Sequence, residues 1–341
     1  AYWTARAHGR AGRTERAADL WEALILRSPL SYYGHLAFQR LGEGEPDRAE
    51  ALRPRTGLGG WSEERQPSER FPLPDLADTR PVAELIRHGL NHTAWRLLRW
   101  SYWRKRLPQE ALGFVSAFAR EVEGLPRGHR ILLKQGWFHE PPEAGATDWW
   151  RMAFPVAFGD IVRRYAGEQG IDPFLILAVM RHESGFNPRA VSSAKAAGLI
   201  QVILPTAQYT ARRVLGESSP LKLSDLFDPR RNVRIGTAFL RYVLDRVDGN
   251  AALAAAGYNA GVGAVRVWRD RWGHLDTDEF VEELPYREAH GYTKQVMQAW
   301  GVYRYLYGPP GAKAVRGIPL PIRAKPARRL DIGPVAAPSV P

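Results

Sequence analysis

Glu183 follows a strongly apolar run, Leu175, Ile176, Ala178, Val179 and Met180, and stands just before Gly185 and Pro188. Asp172-Pro173 opens that run as a helix start, because Asp caps free amides and Pro suits the first helical position. A carboxylate at the far end of such a helix meets the negative end of the helix dipole and apolar neighbours. Both favour the protonated form and make Glu183 a candidate general acid. The helix by itself fits an exposed Glu at a helix end better than a general acid, and the residues that follow shift the balance. His182 adjoins Glu183, but adjacent helical residues point in different directions and no His-rich set accompanies it, so no metal centre is expected. Gly261-Val262-Gly263 lacks the third glycine and the preceding strand of a nucleotide-binding loop.

More residues of this kind follow in order. They are Ser184-Gly185-Phe186-Asn187-Pro188, Ala190 and Ser192, Ala197-Gly198-Leu199-Ile200-Gln201-Val202, and Gly257-Tyr258-Asn259-Ala260-Gly261. Further on stand Phe280-Val281-Glu282, Leu284-Pro285-Tyr286, Glu288, Gly291-Tyr292 and Lys294, and Asp228-Pro229, Asn232 and Gly236 lie between. Over residues 150 to 307 this set resembles the catalytic domain of the soluble lytic transglycosylases, which shares its fold with goose-type lysozymes. The resemblance implies one catalytic carboxylate, Glu183, with Tyr258 close enough to steer its proton. It implies sugar contacts for Ser192, Gln201, Ile203 and Asn259, and a place in the binding groove for Glu282. Taken singly, Ser192, Gln201 and Glu282 fit a structural role as well as a ligand contact. The chain departs from the family pattern at Lys195, where Gly is usual. It also departs at Ile200 and Ile203, each in place of Met, and at Ala289-His290, in place of Thr-Arg. His290 has no clear partner in the sequence, and Trp268 and Trp272 are the tryptophans best placed to line a groove.

Ordinary glycosidases use two carboxylates, and the motif around Glu183 offers no second one. A reaction without activated water fits: the 6-hydroxyl of muramic acid attacks its own anomeric carbon, a tethered and therefore concentrated nucleophile. The resemblance thus implies a peptidoglycan lytic transglycosylase of the bacterial periplasm or cell envelope, needing no cofactor and no metal. Two alternatives stand beside it: a muramidase-type hydrolase on the same fold, and a helical-repeat scaffold that binds glycan without cleaving it.

The elements that must position these residues are mainly α-helical. Residues 1–136 read as a helical-hairpin, superhelical region. Trp3, Ala5, Ala7, Ala18, Trp21, Leu24 and Ile25 recur at helical intervals, Gly9 and Gly12 mark a turn, and Pro29 precedes a second run from Tyr32 to Leu41. Within it, 43–80 is irregular, and helical periodicity returns from Val82 to Trp103 and from Gln109 to Val122. Residues 137–148 read as a linker, 149–307 as a lysozyme-like, α-rich catalytic domain, and 308–341 as a Pro-rich tail. Eight of the 34 tail residues are proline, which denies regular hydrogen bonding and predicts an extended or disordered segment.

The 341 residues are 45% apolar and 25% charged, which excludes a mostly disordered chain. Cysteine is absent, excluding disulfides, thiolate zinc sites and a cysteine nucleophile. No apolar run approaches the roughly 20 residues that span a bilayer, so contact with membrane or wall is expected to be peripheral. The chain starts without Met, within a helical pattern and without a signal-peptide pattern, so a processed or truncated N-terminus is expected. The formal net charge is +12, which favours acidic polymers as partners. Arginines are scattered and often sit beside acids, the dense cluster being Arg323, Lys325, Arg328 and Arg329, and no nucleic-acid partner is expected. A wall polymer bearing peptide carboxylates suits this charge.

Overall fold

A computed structural model describes residues 1–52, 71, 73–75, 79–104, 111–133 and 147–308. Most of the irregular stretch 43–80, most of the linker 137–148, the tail beyond Gly308 and its basic cluster lie outside the described residues. The described residues form seventeen α-helices and one two-stranded sheet. Chain order gives α1 (Tyr2–Arg10), α2 (Thr14–Arg27), α3 (Tyr32–Gly44) and α4 (Pro46–Ala51), then α5 (Arg80–Arg87), α6 (Asn91–Trp103), α7 (Leu112–Glu123), α8 (Leu125–Leu133) and α9 (Thr147–Ala153). After these come α10 (Gly159–Gln169), α11 (Pro173–Glu183), β1 (Ala196–Ala197), β2 (Val202–Ile203), α12 (Leu204–Arg213) and α13 (Pro229–Arg246). The last are α14 (Ala251–Ala260), α15 (Val262–Trp272), α16 (Thr277–Glu282) and α17 (Arg287–Tyr307).

These helices form two compact units that do not follow chain order. One joins α1–α4 with α10–α17; the other joins α5–α9 with Gly185–Asn187. The second has its own core of Val82, Trp95, Leu98, Val115 and Phe118. Its Val82–Trp103 stretch is two helices rather than one, because Gly89 turns the chain at φ +72°. In the first unit, Gly12 makes the turn after α1 at φ +76°, whereas Gly9 stands inside α1.

The N-terminal helices join the first unit through charge. Tyr2, Arg6 and Arg10, one turn apart on α1, face the start of α16. The Tyr2 hydroxyl donates to Asp278 Oδ2 at 2.5 Å, Arg6 pairs with Asp276 and Asp278 at 3.0 Å each, and Arg10 pairs with Glu279 at 2.6 Å. Arg40 on α3 reaches the same Asp276 and Asp278 at 2.7 and 2.8 Å. Asp278 is fully buried, a position that an ionised carboxylate holds only when its oxygens are matched by cations and donors, as here.

Two neighbours hold α11 and its following loop in place. Asp172 caps α11, accepting from the Phe174 amide at 2.9 Å and from Trp300 Nε1 of α17 at 2.9 Å. Every residue from Phe174 to Arg181 is buried. Beyond it, α13 clips the loop that carries Gln201: Asn232, fully buried, donates to Ala197 O and accepts from the Ile200 amide, both at 2.9 Å. Gly198, at φ +81°, lies against the Asn232 side chain and Leu226 O, and Gly236 lies under the Ile200 side chain, so neither has room for a Cβ. Replacing Asn232 by Ala leaves a buried amide and a buried carbonyl unpaired. It should cost about 2–4 kcal/mol, measured as a lower denaturant midpoint with an unchanged slope.

Candidate active site

Glu183 ends α11, partly exposed as a residue but with its carboxyl desolvated. Its partner comes from α17: the Tyr292 hydroxyl donates to Glu183 Oε1 at 2.6 Å. Burial pushes the Glu183 carboxyl up, the Tyr292 hydrogen bond opposes this, and the nearby Glu288 carboxylate adds to it, leaving a pKa of about 7. The helix end also disfavours the charge. The result is a carboxyl that holds its proton at near-neutral pH and can give it up there, the property a general acid needs. Tyr292 was quoted in the sequence motif without a role. The motif alone does not show which face of α17 meets α11; Glu288 and Tyr292, one turn apart, share that face.

Tyr258, on α14, lies close enough to Glu183 for the carboxylate to help burial push its hydroxyl well above the usual phenol range. The hydroxyl itself donates to Ile200 O at 2.8 Å. It therefore braces the Gln201 loop beside Glu183. Asn259 Nδ2 donates to Glu288 Oε1 at 3.2 Å. Glu183, Tyr292, Glu288, Asn259 and Tyr258 thus form one neighbourhood built from α11, α14 and α17.

The other expected residues are placed as follows. Ser184 donates to Leu199 O at 2.7 Å, tying the end of α11 to the loop. Gln201 sits at φ +47°, and its amide nitrogen donates to Gly198 O at 2.8 Å and Ala190 O at 3.1 Å, so its nitrogen serves the loop and its oxygen is left for other partners. Ser192 is exposed, and its Oγ accepts from the Ala196 amide at 3.1 Å. Ile203 is partly exposed where β2 passes into α12. Lys195 takes φ +61°, the left-handed region that favours Gly, and Ile200 is fully buried. Ala289 is also fully buried.

Glu282 is held elsewhere. It accepts from Tyr33 of α3 at 2.8 Å, from Lys294 at 2.7 Å and from His290 at 3.2 Å. His290 therefore does have a partner. Burial would raise the Glu282 pKa, but these donors, led by Lys294 and Tyr33, outweigh it and lower the value. His290 and Lys294 lie one turn apart, and Lys294 is two positions after Tyr292, so the Glu282 cluster and the Glu183 cluster occupy opposite sides of α17. Trp268 is buried edge-on against Tyr286, with ring centres 5.2 Å apart, and so belongs to the core. His182 is pushed down to about 3 by burial and the neighbouring Arg181 charge, which leaves it neutral. Among the described residues, the one acidic triplet compact enough to hold a cation is Asp276, Asp278 and Glu279, and arginines already occupy it.

The mainly helical, lysozyme-like architecture and this carboxyl define a class, and similarity to known proteins agrees. Residues 160–281 match the transglycosylase SLT domain family. The soluble lytic murein transglycosylase of Escherichia coli is 38% identical over 158 residues, 46% of this chain and 24% of its own length. That of Salmonella typhimurium is 29% identical over 317 residues, 90% of this chain and 44% of its own. An inactive Glu-to-Gln variant of the lytic transglycosylase Slt from Pseudomonas aeruginosa superposes with a TM-score of 0.65 at 26% identity, covering 89% of this chain and 45% of that one. Residues 160–281 thus form a transglycosylase SLT domain, and the chain around it is similar to soluble lytic murein transglycosylases. It spans less than half the length of these relatives.

Two outcomes follow from the carboxyl. Tyr292→Phe removes a donor that favours the ionised form, so the Glu183 midpoint, followed by carboxyl-selective 13C NMR, should move above about 7. The folded state keeps a proton that the unfolded chain releases from its ordinary value of 4.5 upward, so Glu183 lowers stability as pH rises from there to about 7. Thermal melts should therefore show Glu183→Gln more stable than the parent near pH 8, with the margin closing near pH 4.

Proposed function

We propose that this chain cleaves the MurNAc-GlcNAc β-1,4 bond of peptidoglycan as a lytic transglycosylase, leaving 1,6-anhydromuramic ends, with one carboxyl acting as acid and then as base. The observation that carries the reading is the Glu183 carboxyl at the end of a buried helix, with Tyr292 donating to its Oε1 at 2.6 Å, where burial pushes its pKa up to about 7. Protonated Glu183 donates to the departing glycosidic oxygen as the bond to the anomeric carbon breaks. The resulting carboxylate takes the proton of the muramic 6-hydroxyl as that oxygen bonds to the anomeric carbon. One bond breaks, one forms, the proton returns to Glu183, and no water is consumed. The tether supplies the effective concentration.

Tyr292 orients the carboxyl and favours its ionised stage by hydrogen bonding. Tyr258 fixes the loop through Ile200. Gln201 Oε1, Ile203 and Ser192 are assigned to sugar contacts on the loop side, and Asn259 with Glu288 on the helix side. Glu282, with its carboxylate already engaged by Tyr33, Lys294 and His290, is assigned to holding α3 against α16 and α17. The substrate places the protein at the bacterial cell wall, in the periplasm or envelope.

Glu288 supports a second reading, hydrolysis on the same fold, because it puts another carboxylate near Glu183 where a water is activated in two-carboxylate glycosidases. Mass spectrometry of muropeptides released from purified sacculi separates the two: anhydro ends are expected, and reducing ends would mean hydrolysis. Glu183→Gln should abolish release while glycan binding persists. Release at the parental rate by that variant would overturn the Glu183 assignment.

A further inference from the structure

The face of α13 that meets the site runs through Asn232, Gly236, Phe239, Val243 and Arg246, spaced by three and four residues. Its first half is spent on the loop, with Asn232 holding Ala197 and Ile200, and Gly236 under Ile200. Phe239 then packs on Tyr258 with ring centres 5.4 Å apart. From there a row of half-buried rings continues: Phe239 stacks on Tyr242 at 6.0 Å, and Tyr209 of α12 meets Tyr242 edge-on at 5.8 Å. At the end of the row the Arg246 guanidinium lies over the Tyr242 ring, 3.2 Å from its centre. Arg246 lies seven positions after Phe239 in α13, about 10 Å along the axis.

Arg246 differs from the cations around it. The nearby acids are already engaged: Asp245 by Arg241 at 2.6 Å, and Asp248 by Arg269 at 2.6 Å. Among the described residues no carboxylate pairs with Arg246, and its guanidinium makes one hydrogen bond, to Tyr242 O at 3.0 Å. Stacking on Tyr242 fixes the plane of the guanidinium, and four of its five N–H donors remain unspent. A planar, pre-oriented fork of this kind is matched by a carboxylate. The Tyr242 hydroxyl lies on the ring beneath the guanidinium and is hydrogen-bonded to Tyr209.

We propose that Arg246, flanked by Tyr242 and Tyr209, is a specificity-determining residue that recognises a carboxylate on the peptide substituents of a glycan strand lying along α13. This rests on the peptidoglycan reading above and names the part of that polymer the chain selects for. Peptide-bearing strands carry the carboxylate, whereas strands stripped of peptide keep the sugars and lose it.

The test uses the full chain with both kinds of strand. Arg246→Gln keeps the stem and one polar end and removes the charge. It should raise KM for peptide-bearing strands about ten-fold, the loss of one charge-assisted contact. kcat should stay unchanged, and neither parameter should move on stripped strands. Tyr209→Phe, which keeps the ring and drops the hydroxyl, should give a smaller shift of the same kind. Equal KM for Arg246→Gln and the parent on peptide-bearing strands, or an equal rise on both kinds, would overturn the assignment. If the parent releases nothing from either strand, the cleavage reading falls. Calorimetric Kd for peptide-bearing strands then decides the Arg246 assignment by itself: a weaker Kd for Arg246→Gln supports it, and an unchanged Kd refutes it.

Discussion

A proton kept on one carboxyl at the dry end of a helix is the constraint around which the first unit is arranged. Burial supplies most of the effect at Glu183, so α11 must be covered along its length, and α17 does much of that work. It grips α11 at both ends, through Trp300 on the Asp172 cap and Tyr292 on Glu183. The pairing of a strongly desolvated acid with one donor makes the site responsive: burial holds the proton, and the Tyr292 hydroxyl moderates the cost of losing it. The Ala-rich α14 supports this arrangement because small side chains allow close approach of its neighbours. A Cβ at Gly257 would already press on Val243 at 3.1 Å.

The loop between α11 and α12 has little secondary structure of its own, two residue pairs of sheet. Its shape is imposed by side chains from outside it. Asn232 satisfies one amide and one carbonyl, Tyr258 takes a second carbonyl, and Ser184 a third. Gln201 completes the loop from within while adopting a positive φ. Buried backbone groups need such partners, which accounts for an Asn, a Tyr and a Ser far apart in sequence appearing in one short segment's hydrogen-bond list. Along α13, the same face that supports the loop continues past Phe239 to Arg246, so one helix carries both the loop's support and the ring row that ends at the Arg246 guanidinium.

Charge serves assembly as well as partners. The net charge of +12 suggests a uniformly basic surface, yet Arg6, Arg10 and Arg40 are consumed on the acidic start of α16. Tyr33 and Lys294 extend that attachment to Glu282 at the end of the same helix. The first N-terminal helices therefore pack as part of the unit that holds Glu183, although about a hundred residues of chain separate α4 from α10.

Local features were legible from residue order alone: the Asp172-Pro173 helix start, the apolar course of α11, Glu183 at its end, the Gly12 turn, and the ordered motifs of the SLT domain. Each depends on neighbours within a few positions, where backbone preference and periodicity act. Three-dimensional packing decided the rest. It chose Tyr292 as the donor to Glu183, turned the Tyr258 hydroxyl to Ile200, sent Glu282 to the far side of α17, and brought Glu288 near the acid. It also gave α1–α4 their partner in α16. These outcomes join residues up to 276 positions apart. A helix of known sequence still has several faces, and only the helices packed against it determine which face becomes dry, charged or reactive.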